Sequence, residues 1–516
     1  MTHSTQSDRR ALYVDLGVVA VFVAIGVFIQ LHFGLGDLGI YHPDEIYQTL
    51  EPAHEMVYGF GLHAWEWDIG ARNALLPAML AGVLGLGRLF GLEQPAAYLG
   101  LMHGFVASVF SASAFAVYLL ARHFRASRPA ALAGAALFLF NPVSLYLGYR
   151  VLSEVISTPV VLFGVLWTLQ FAPVDADAHG AAPQKRRARL LFILGVSLLG
   201  ISVLFRLQNA LFVVALLLPW RFQKGGRARY ELGMQVLVVW ALIFGAIDWI
   251  TWGLPFASAG AYLRFNLLMD GTTSYYGADS FFYYPYYFSV AMGVAGALLT
   301  ILPVFSATRA RALLVSVGVF LLIHSIFPHK ELRFVVTTLP ILAALSAVGA
   351  QWLIDRAPAP RRRLAAGLGA AALFAAAGYA ATQTPNLTFG RLGQTSALQV
   401  TPDTPAYGHF APVNRLLLVA TERTDICGLS LPDQWAIDAG GHTYFHRDLP
   451  FFHAGNPPPA AGTYNFAISQ RPAQPGWRAV HTHAPYTLYK TGDHACAPAP
   501  EYQPVIYQPV EDAPTP

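Results

Sequence analysis

Residues 11–33, ALYVDLGVVAVFVAIGVFIQLHF, form an apolar run long enough to cross a bilayer, and the charged stretch YHPDEIYQTLEPAHE follows closely at residues 41–55. The first stretch predicts a transmembrane helix. The second lies within a segment, Asp37 to Asp68, that holds seven of the 29 acidic residues in the chain. The sequence therefore begins with a predicted membrane span that is followed by a charge-rich loop, and this arrangement favours a membrane protein.

The composition extends this pattern to the whole chain. Of 516 residues, 12% are charged and 55% are hydrophobic, whereas a globular protein has about 25% charged residues. An ordinary soluble protein is therefore excluded. Lys and Arg total 33, and the net charge is only +4. Because this excess is small and dispersed, no nucleic-acid partner is expected.

Apolar runs recur through the first 381 residues and predict eleven transmembrane spans. They cover residues 11–33, 96–121, 129–148, 152–172, 190–205, 207–221, 232–251, 287–306, 312–327, 334–354 and 363–381. Arg206 separates two short runs, and joining them into one bent helix would invert the downstream topology. A break is favoured because an arginine within a span is costly. No cleavable signal peptide is predicted.

Basic clusters fall on one side of this topology if the amino terminus is cytoplasmic, as cytoplasmic loops are enriched in Lys and Arg. They are Arg9–Arg10, Arg122–Arg128, Lys185–Arg189, Arg221–Arg229, Arg309–Arg311 and Arg356–Arg363. The opposite face receives residues 34–95, the segment around Arg150, the loop 252–286, the segment around His329 and everything after residue 381. Acidic and aromatic residues are concentrated in these outer segments.

The C-terminal segment, residues 382–516, is rich in Pro, Gly and aromatic residues and predicts a small extracytoplasmic domain with some strand. Short runs at residues 415–421, 464–469 and 487–489 are candidates for its structure. Cys427 and Cys496 are the only cysteines, so either a disulfide or two buried thiols is possible on this face. The predicted fold class is an all-α polytopic membrane protein, residues 1–381, with a small mixed α/β domain, residues 382–516.

The first outer loop predicts an amphipathic helix that begins near Pro43. Asp44, Gln48 and Glu51 share one face at helical spacing, and apolar residues fill the other. Two interpretations stay open: a solvated polar face on the membrane surface, or a carboxylate-bearing catalytic site.

Two further outer segments carry unusual side chains. His329-Lys-Glu-Leu-Arg-Phe334 lies between two apolar runs, where its ionisable groups either snorkel to the interface or bind a phosphate. The aromatic stretch 275–288 is an interfacial belt, or in part a surface that stacks on a sugar.

No metal or other cofactor is expected. His442, His446 and His453 match no closed zinc spacing, and His42 with Asp44 is only a weak cation pattern.

Three separated motifs resemble the dolichyl-phosphate-mannose-dependent mannosyltransferases, membrane glycosyltransferases of the GT-C architecture in family GT22. They are His42-Pro-Asp-Glu-Ile-Tyr-Gln-Thr-Leu-Glu51, Trp65-Glu-Trp67 with Arg72, and His329-Lys-Glu-Leu-Arg-Phe334 followed by Leu339-Pro340. The resemblance covers roughly residues 11–355, and it is greatest to the branch that adds the third mannose of the glycosylphosphatidylinositol anchor and its bacterial relatives.

The resemblance implies inverting transfer of a sugar, expected to be mannose, from a polyprenyl-phosphate monosaccharide to a glycolipid or glycan acceptor. Asp44 would be the general base, and Glu45 beside it would be a second catalytic residue that raises the proton affinity of the base or holds an acceptor hydroxyl. Cationic side chains would stabilise the departing lipid phosphate. The candidates for that phosphate are His329, Lys330, Arg333 and Arg206. Substrate contacts are expected from His42, Gln48, Glu51, Trp65, Glu66, Trp67, Arg72 and Glu331.

Alternatives of two classes are a GT-C transferase of another sugar, such as arabinose or glucose, and a lipid or sugar transporter. Transporters typically show internal repeats and polar residues near the bilayer midplane. The ionisable residues here gather at one face, which favours the enzyme. The expected location is a bacterial inner membrane with the site facing outward, and the alternative is the endoplasmic reticulum membrane.

Overall fold

Long apolar helices dominate the computed structural model, which describes residues 6–170, 182–268, 277–395, 398, 400–454, 459–460, 462–493, 495–500 and 502–506. Within these ranges, eight helical segments are long and apolar enough to cross a membrane. They are Arg9–Gly34, Pro95–His123, Ser153–Gln170, Arg186–Phe205, Arg227–Trp252, Val294–Ile326, Leu332–Arg356 and Ala359–Asn386. The chain is therefore a multi-pass membrane protein.

The eleven predicted spans do not all form separate long helices. Leu207–Phe222 is a shorter helical run, and the span predicted at 129–148 is divided between helices Arg128–Leu139 and Pro142–Leu147. Pro142 begins the second of these, where its missing N–H costs nothing. The two spans predicted between residues 287 and 327 fall largely in the single helical run Val294–Ile326, which follows helix Tyr283–Met292.

Two compact units divide the chain. The first unit comprises residues 1–33, 104–256 and 264–404, and the second comprises residues 34–103, 257–263 and 405–516. The first outer loop therefore groups with most of the C-terminal segment, a division that differs from the sequence-based boundary after residue 381.

The core of the first unit is built around helix Leu339–Arg356, whose first eleven residues are all buried. Small residues allow its close neighbours to approach. A Cβ atom at Gly349 would lie 2.0 Å from the Leu302 carbonyl oxygen, and one at Gly134 would lie 3.0 Å from the Ala343 carbonyl oxygen. Such small-residue contacts let helix backbones pack tightly in a membrane.

Within its described residues, the second unit contains two sheets. The larger sheet has strand order β3-β2-β4-β6-β5, with β2 parallel to β3 and β4, and β6 antiparallel to β4 and β5. The smaller sheet pairs β1 with β7 in parallel. The strands are β1 His63–Ala64, β2 Leu429–Leu431, β3 Phe451–His453, β4 Phe466–Ser469, β5 Arg478–His483, β6 Tyr486–Lys490 and β7 Val505–Ile506.

Helices of the second unit include Glu51–Tyr58, Leu75–Leu89 and Ala411–Thr421. Of the three short runs singled out in the sequence, residues 415–421 are helical, whereas residues 466–469 and 487–489 lie in strands. Pro412 stands in the first turn of helix Ala411–Thr421, and Val413, Leu416, Leu417 and Ala420 are buried at helical spacing. The disulfide between Cys427 and Cys496 is present, with a Cα–Cα distance of 5.7 Å.

Candidate active site

The segment that follows Asp44 is buried rather than solvated. A π-helical turn spans Ile46–Leu50 and leads into helix Glu51–Tyr58, and every residue from 46 to 54 is buried. The interpretation of this segment as a surface helix with a solvated polar face is therefore wrong. π-Helical turns are rare and often mark functional sites.

Asp44 is the accessible carboxylate of this motif. Its side chain is 21% exposed, whereas Glu45 is 3% and Glu51 is 0% exposed. The Nδ1 atom of His42 lies 3.2 Å from both the backbone nitrogen and the Oδ1 atom of Asp44. His42 therefore lies beside Asp44, accepts its backbone N–H, and leaves the Asp44 side chain partly exposed.

Glu45 and Glu51 make contacts within the protein. The Tyr41 backbone N–H donates to Glu45 Oε1, with an N–O distance of 2.5 Å. The Glu51 carboxylate accepts hydrogen bonds from Leu62, His442 and Thr443. Burial raises the pKa of Glu51 to about 7, although these hydrogen bonds oppose the shift. This placement favours an anchoring role for Glu51; its role in substrate binding remains a prediction.

The Trp65-Glu66-Trp67 motif joins the same unit through a polar network. Arg72 binds both carboxylate oxygens of Glu66, at 2.6 and 3.2 Å, and the Gln48 amide donates to Glu66 Oε1 at 3.2 Å. Burial opposes the charge on Arg72, but the carboxylate of Glu66 raises its pKa, with a smaller contribution from Asp44. The second unit therefore brings together residues that the sequence separates by about 30 positions, between His42 and Arg72.

The two tryptophans differ in their surroundings. Trp67 is buried, and its indole Nε1 donates to the Tyr47 carbonyl oxygen at 2.9 Å. Trp65 keeps part of its surface exposed. Of the two predicted sugar contacts, Trp65 is thus the partly exposed one, and Trp67 links its loop to the Tyr47 backbone.

The cationic motif belongs to the first unit and is organised around two buried glutamates. Arg333 donates to both oxygens of Glu331, at 2.7 and 3.0 Å, and to Glu154 Oε1 at 3.2 Å. His329 Nε2 lies 3.1 Å from Glu331 Oε1. Glu331 therefore contacts both His329 and Arg333 within the protein, and its predicted contact with substrate stays a prediction.

The Lys330 side chain forms its hydrogen bonds with backbone carbonyl groups. Its ammonium group donates to the carbonyl oxygens of Asp279, Phe327 and Pro328, at 2.9, 2.6 and 3.1 Å. An ammonium has three donors, so these carbonyls account for all of them. Burial lowers the pKa of Lys330, and the nearby Asp279 carboxylate opposes that change. The contacts favour a structural role over direct phosphate binding.

Arg206 retains donors for an anion. Its Nη1 pairs with the same Glu154 oxygen that Arg333 contacts, and its side chain is 7% exposed. Its Nε and Nη2 atoms have no hydrogen-bond partner within the described residues. Because buried polar groups are normally hydrogen-bonded, two such donors on one guanidinium indicate a binding position.

Tyr284 adds a donor that sequence analysis missed. The side chain is buried, and its hydroxyl has no hydrogen-bond partner within the described part of the chain. Burial raises the pKa of Tyr284, and the charge of Arg206 opposes that change. Its sequence neighbours Phe282 and Tyr286 are exposed and fit the predicted belt; Tyr275 and Tyr276 lie outside the described residues.

Comparison with known proteins supplies the family context. Residues 23–404 match the model of the Alg9-like mannosyltransferase family. GPI mannosyltransferase 3 of Yarrowia lipolytica is 30% identical over 342 residues, covering 65% of this chain and 62% of the relative. GPI alpha-1,2-mannosyltransferase 3 of Xenopus laevis is 26% identical, over 58% of this chain and 54% of the relative. The chain thus matches somewhat more than half the length of these relatives.

Solved structures show the same fold at low sequence identity. ArnT from Cupriavidus metallidurans, bound to undecaprenyl phosphate, aligns with a TM-score of 0.59 at 14% identity, over 93% of this chain and 99% of that chain. The Archaeoglobus fulgidus oligosaccharyltransferase aligns with a TM-score of 0.54 at 12% identity, over 89% and 69% of the two chains. The GT-C architecture expected from the sequence is thereby confirmed.

Proposed function

Because the chain belongs to the Alg9-like mannosyltransferase family, we propose that it transfers mannose from a polyprenyl-phosphate donor to a hydroxyl of a glycolipid or glycan acceptor. The observation that carries this proposal is the environment of Asp44. It is a partly exposed carboxylate beside His42, in the unit that also holds the Glu66–Arg72 pair. These groups offer a base and several hydrogen-bonding partners for a sugar.

Asp44 acts as the general base in the proposed reaction. The acceptor hydroxyl loses its proton to Asp44 as its oxygen forms a bond to the anomeric carbon of mannose. The bond from that carbon to the phosphate oxygen breaks, and the lipid phosphate departs with the electron pair. Attack from the face opposite the leaving group inverts the anomeric configuration.

Cationic and neutral donors stabilise the departing phosphate. Negative charge grows on its oxygen in the transition state, so fixed donors aimed at that position lower the barrier. Arg206 supplies Nε and Nη2 for this purpose, and the Tyr284 hydroxyl is a further donor. Arg333, whose guanidinium is held by Glu331, contributes positive charge from the predicted motif, and His329 contacts the same glutamate.

The proposed donor and acceptor are approached from the outer face of the membrane. In the predicted topology, the loops with Asp44 and His329 lie opposite the basic cytoplasmic clusters. The expected location is a bacterial inner membrane, with a lipid-linked acceptor. The donor's polyprenyl chain would remain in the bilayer while its headgroup enters the site.

Transfer by the purified protein tests this function directly. The protein, reconstituted in lipid, is incubated with polyprenyl-phosphate mannose and a panel of membrane glycolipids, and products are identified by mass and linkage analysis. A mannosylated lipid formed by the native protein but not by Asp44→Asn supports the proposal. Transfer only from a donor carrying another sugar would overturn the mannose assignment, and no transfer from any donor would overturn the function.

A further inference from the structure

The C-terminal segment is bonded directly to the segment that carries the proposed base. Ahead of the motif, the Ile40 backbone N–H donates to the His409 carbonyl oxygen at 2.8 Å. The Asn414 amide also donates to the Leu38 carbonyl oxygen at 2.7 Å. The C-terminal segment therefore holds the backbone that directly precedes the Asp44 motif.

Behind the motif, Glu51 forms a second attachment. Its Oε1 accepts the His442 backbone N–H, and its Oε2 accepts the Thr443 backbone N–H, both at 2.8 Å. The Thr443 hydroxyl also donates to Oε2. Gly441 has φ +56°, and a Cβ atom there would lie 2.9 Å from Glu51 Oε1, so glycine permits this approach. The buried Glu51 carboxylate thus hydrogen-bonds the helix that follows the motif to residues 442 and 443.

Tyr47 makes the third attachment, within the π-helical turn itself. Its hydroxyl lies 2.5 Å from the Ala436 carbonyl oxygen and 2.7 Å from that of Ala439. Its own carbonyl oxygen accepts the Trp67 indole N–H at 2.9 Å. One residue therefore links the C-terminal segment, the turn that follows Asp44 and the Trp65-Glu66-Trp67 motif.

The end of the described chain forms a strand pair with the residues that directly precede the Trp65-Glu66-Trp67 motif. β7, Val505–Ile506, pairs with β1, His63–Ala64, which directly precedes Trp65. The His63 backbone N–H donates to the Pro504 carbonyl oxygen at 2.6 Å. A strand near the carboxyl end of the described chain is thus paired with the strand that directly precedes Trp65, a proposed sugar contact.

We propose that the C-terminal segment is a positioning element of the active site, with Tyr47, Glu51 and Thr443 as positioning residues that fix Asp44 and Glu66 for transfer. This inference rests on the proposed function of Asp44. A displacement of about 1 Å in a catalytic group can reduce a rate by about 100-fold, so contacts that fix this backbone affect the chemical step. These three residues act through Asp44 and Glu66 and need not touch substrate.

Paired conservative variants test the inference. Tyr47→Phe removes only the hydroxyl that contacts Ala436 and Ala439, and Thr443→Val removes only the hydroxyl that contacts Glu51. Each should lower kcat by roughly 10- to 100-fold while the donor KM stays within about twofold. Thr443→Ser, which keeps the hydroxyl, should restore most of the loss. Matched controls are Tyr489→Phe and Thr482→Val, whose hydroxyls bond to Arg471 and Thr487 elsewhere in the second unit.

Hydrogen–deuterium exchange supplies a readout that does not depend on activity. Amides of residues 46–51 should exchange faster in Tyr47→Phe and Thr443→Val than in the native protein or in the controls. Unchanged exchange, or kcat values equal to those of the controls, would overturn the positioning role. Absence of transfer by the native protein would instead overturn the proposed function, and the exchange data would still decide whether the segment is held in place.

Discussion

Arg72 and Glu66 form a two-point ion pair, with Nη2 2.6 Å from Oε1 and Nε 3.2 Å from Oε2. The planar guanidinium matches both carboxylate oxygens, which fixes orientation as well as charge. Gln48 donates to the same Glu66 oxygen that Arg72 Nη2 contacts, so the first and second sequence motifs share one acceptor. Through Glu66, the motif that contains Gln48 and the motif that contains Arg72 belong to one polar network.

Replacement of Arg72 by Lys should weaken that network without removing the positive charge. Lysine offers a point charge rather than a planar fork, so one of the two contacts is lost. We expect kcat/KM to fall by about 10-fold, which corresponds to about 1.4 kcal/mol. Steady-state transfer assays measure it, and Arg88→Lys, at an exposed pair with Glu93, is the control. Equal kcat/KM values for the two variants would contradict an orienting role.

Asp44→Asn should abolish most turnover while preserving the fold. The amide has similar size but cannot accept a proton at neutral pH, and general-base catalysis contributes about 100- to 10,000-fold. We therefore expect kcat to fall by at least about 100-fold, with a Tm near the native value. Asp68→Asn, at an exposed position of the same loop, is the matched control. Near-native turnover by Asp44→Asn would remove the general-base assignment.

Arg206→Ala and Lys330→Ala should have different effects. Arg206 has two donors with no partner within the described residues, so its removal should lower kcat/KM for the donor by about 10- to 100-fold, the value of a hydrogen bond to a charged group. Lys330 bonds to three carbonyl oxygens, so its removal should chiefly lower the Tm. Donor titrations and thermal unfolding separate these outcomes, with exposed Arg221→Ala as control. The reverse pattern would assign the phosphate to Lys330.

The disulfide should stabilise the second unit. Cys427 and Cys496 are separated by 69 residues, and removing a native disulfide typically costs about 2–5 kcal/mol. The double variant Cys427→Ser with Cys496→Ser should therefore have a lower Tm, and a reducing agent should lower the Tm of the native protein but leave the variant unchanged. If reductant shifts both proteins equally, the effect arises elsewhere.

Acid should destabilise the protein partly through His54. Its Nδ1 lies 3.0 Å from the Phe60 carbonyl oxygen, and its Nε2 lies 2.8 Å from His446 Nδ1. Burial lowers the pKa of His54 from 6.5 to about 3, with the charge of His446 acting in the same direction. The unfolded chain therefore binds more protons between these pH values, so stability falls as pH decreases from 6.5 towards 3.

Replacing His54 by Phe should make that decline shallower, although the variant loses both hydrogen bonds and has a lower Tm at neutral pH. The measurement is the Tm of both proteins from pH 7 to pH 4. Parallel curves would show that His54 does not contribute to the acid sensitivity. Tyr58→Phe, which alters a ring packed against His54 without removing a histidine, is the control.

Much of the candidate site could be predicted because its residues occur in short motifs. His42 to Glu51, Trp65 to Arg72 and His329 to Phe334 were selected by their charges and by their resemblance to a family, and the structure joins the first two in one network. Tyr284 was missed because exposed and buried aromatic residues alternate irregularly around it, Phe282 and Tyr286 being exposed and Tyr283 buried, so the sequence gives no sign of its own burial. A hydroxyl without a partner is visible only after the chain has folded.

The sequence by itself determined the membrane class, the predicted sidedness and the motifs, because apolar length, basic clusters and motif spacing are local properties of the chain. Only the tertiary structure decided that Asp44 is accessible while Glu51 is enclosed, that Lys330 binds backbone carbonyls, and that residues 436–443 hold the segment after Asp44. These outcomes depend on burial and on hydrogen bonds between groups up to 392 positions apart, which no local pattern encodes.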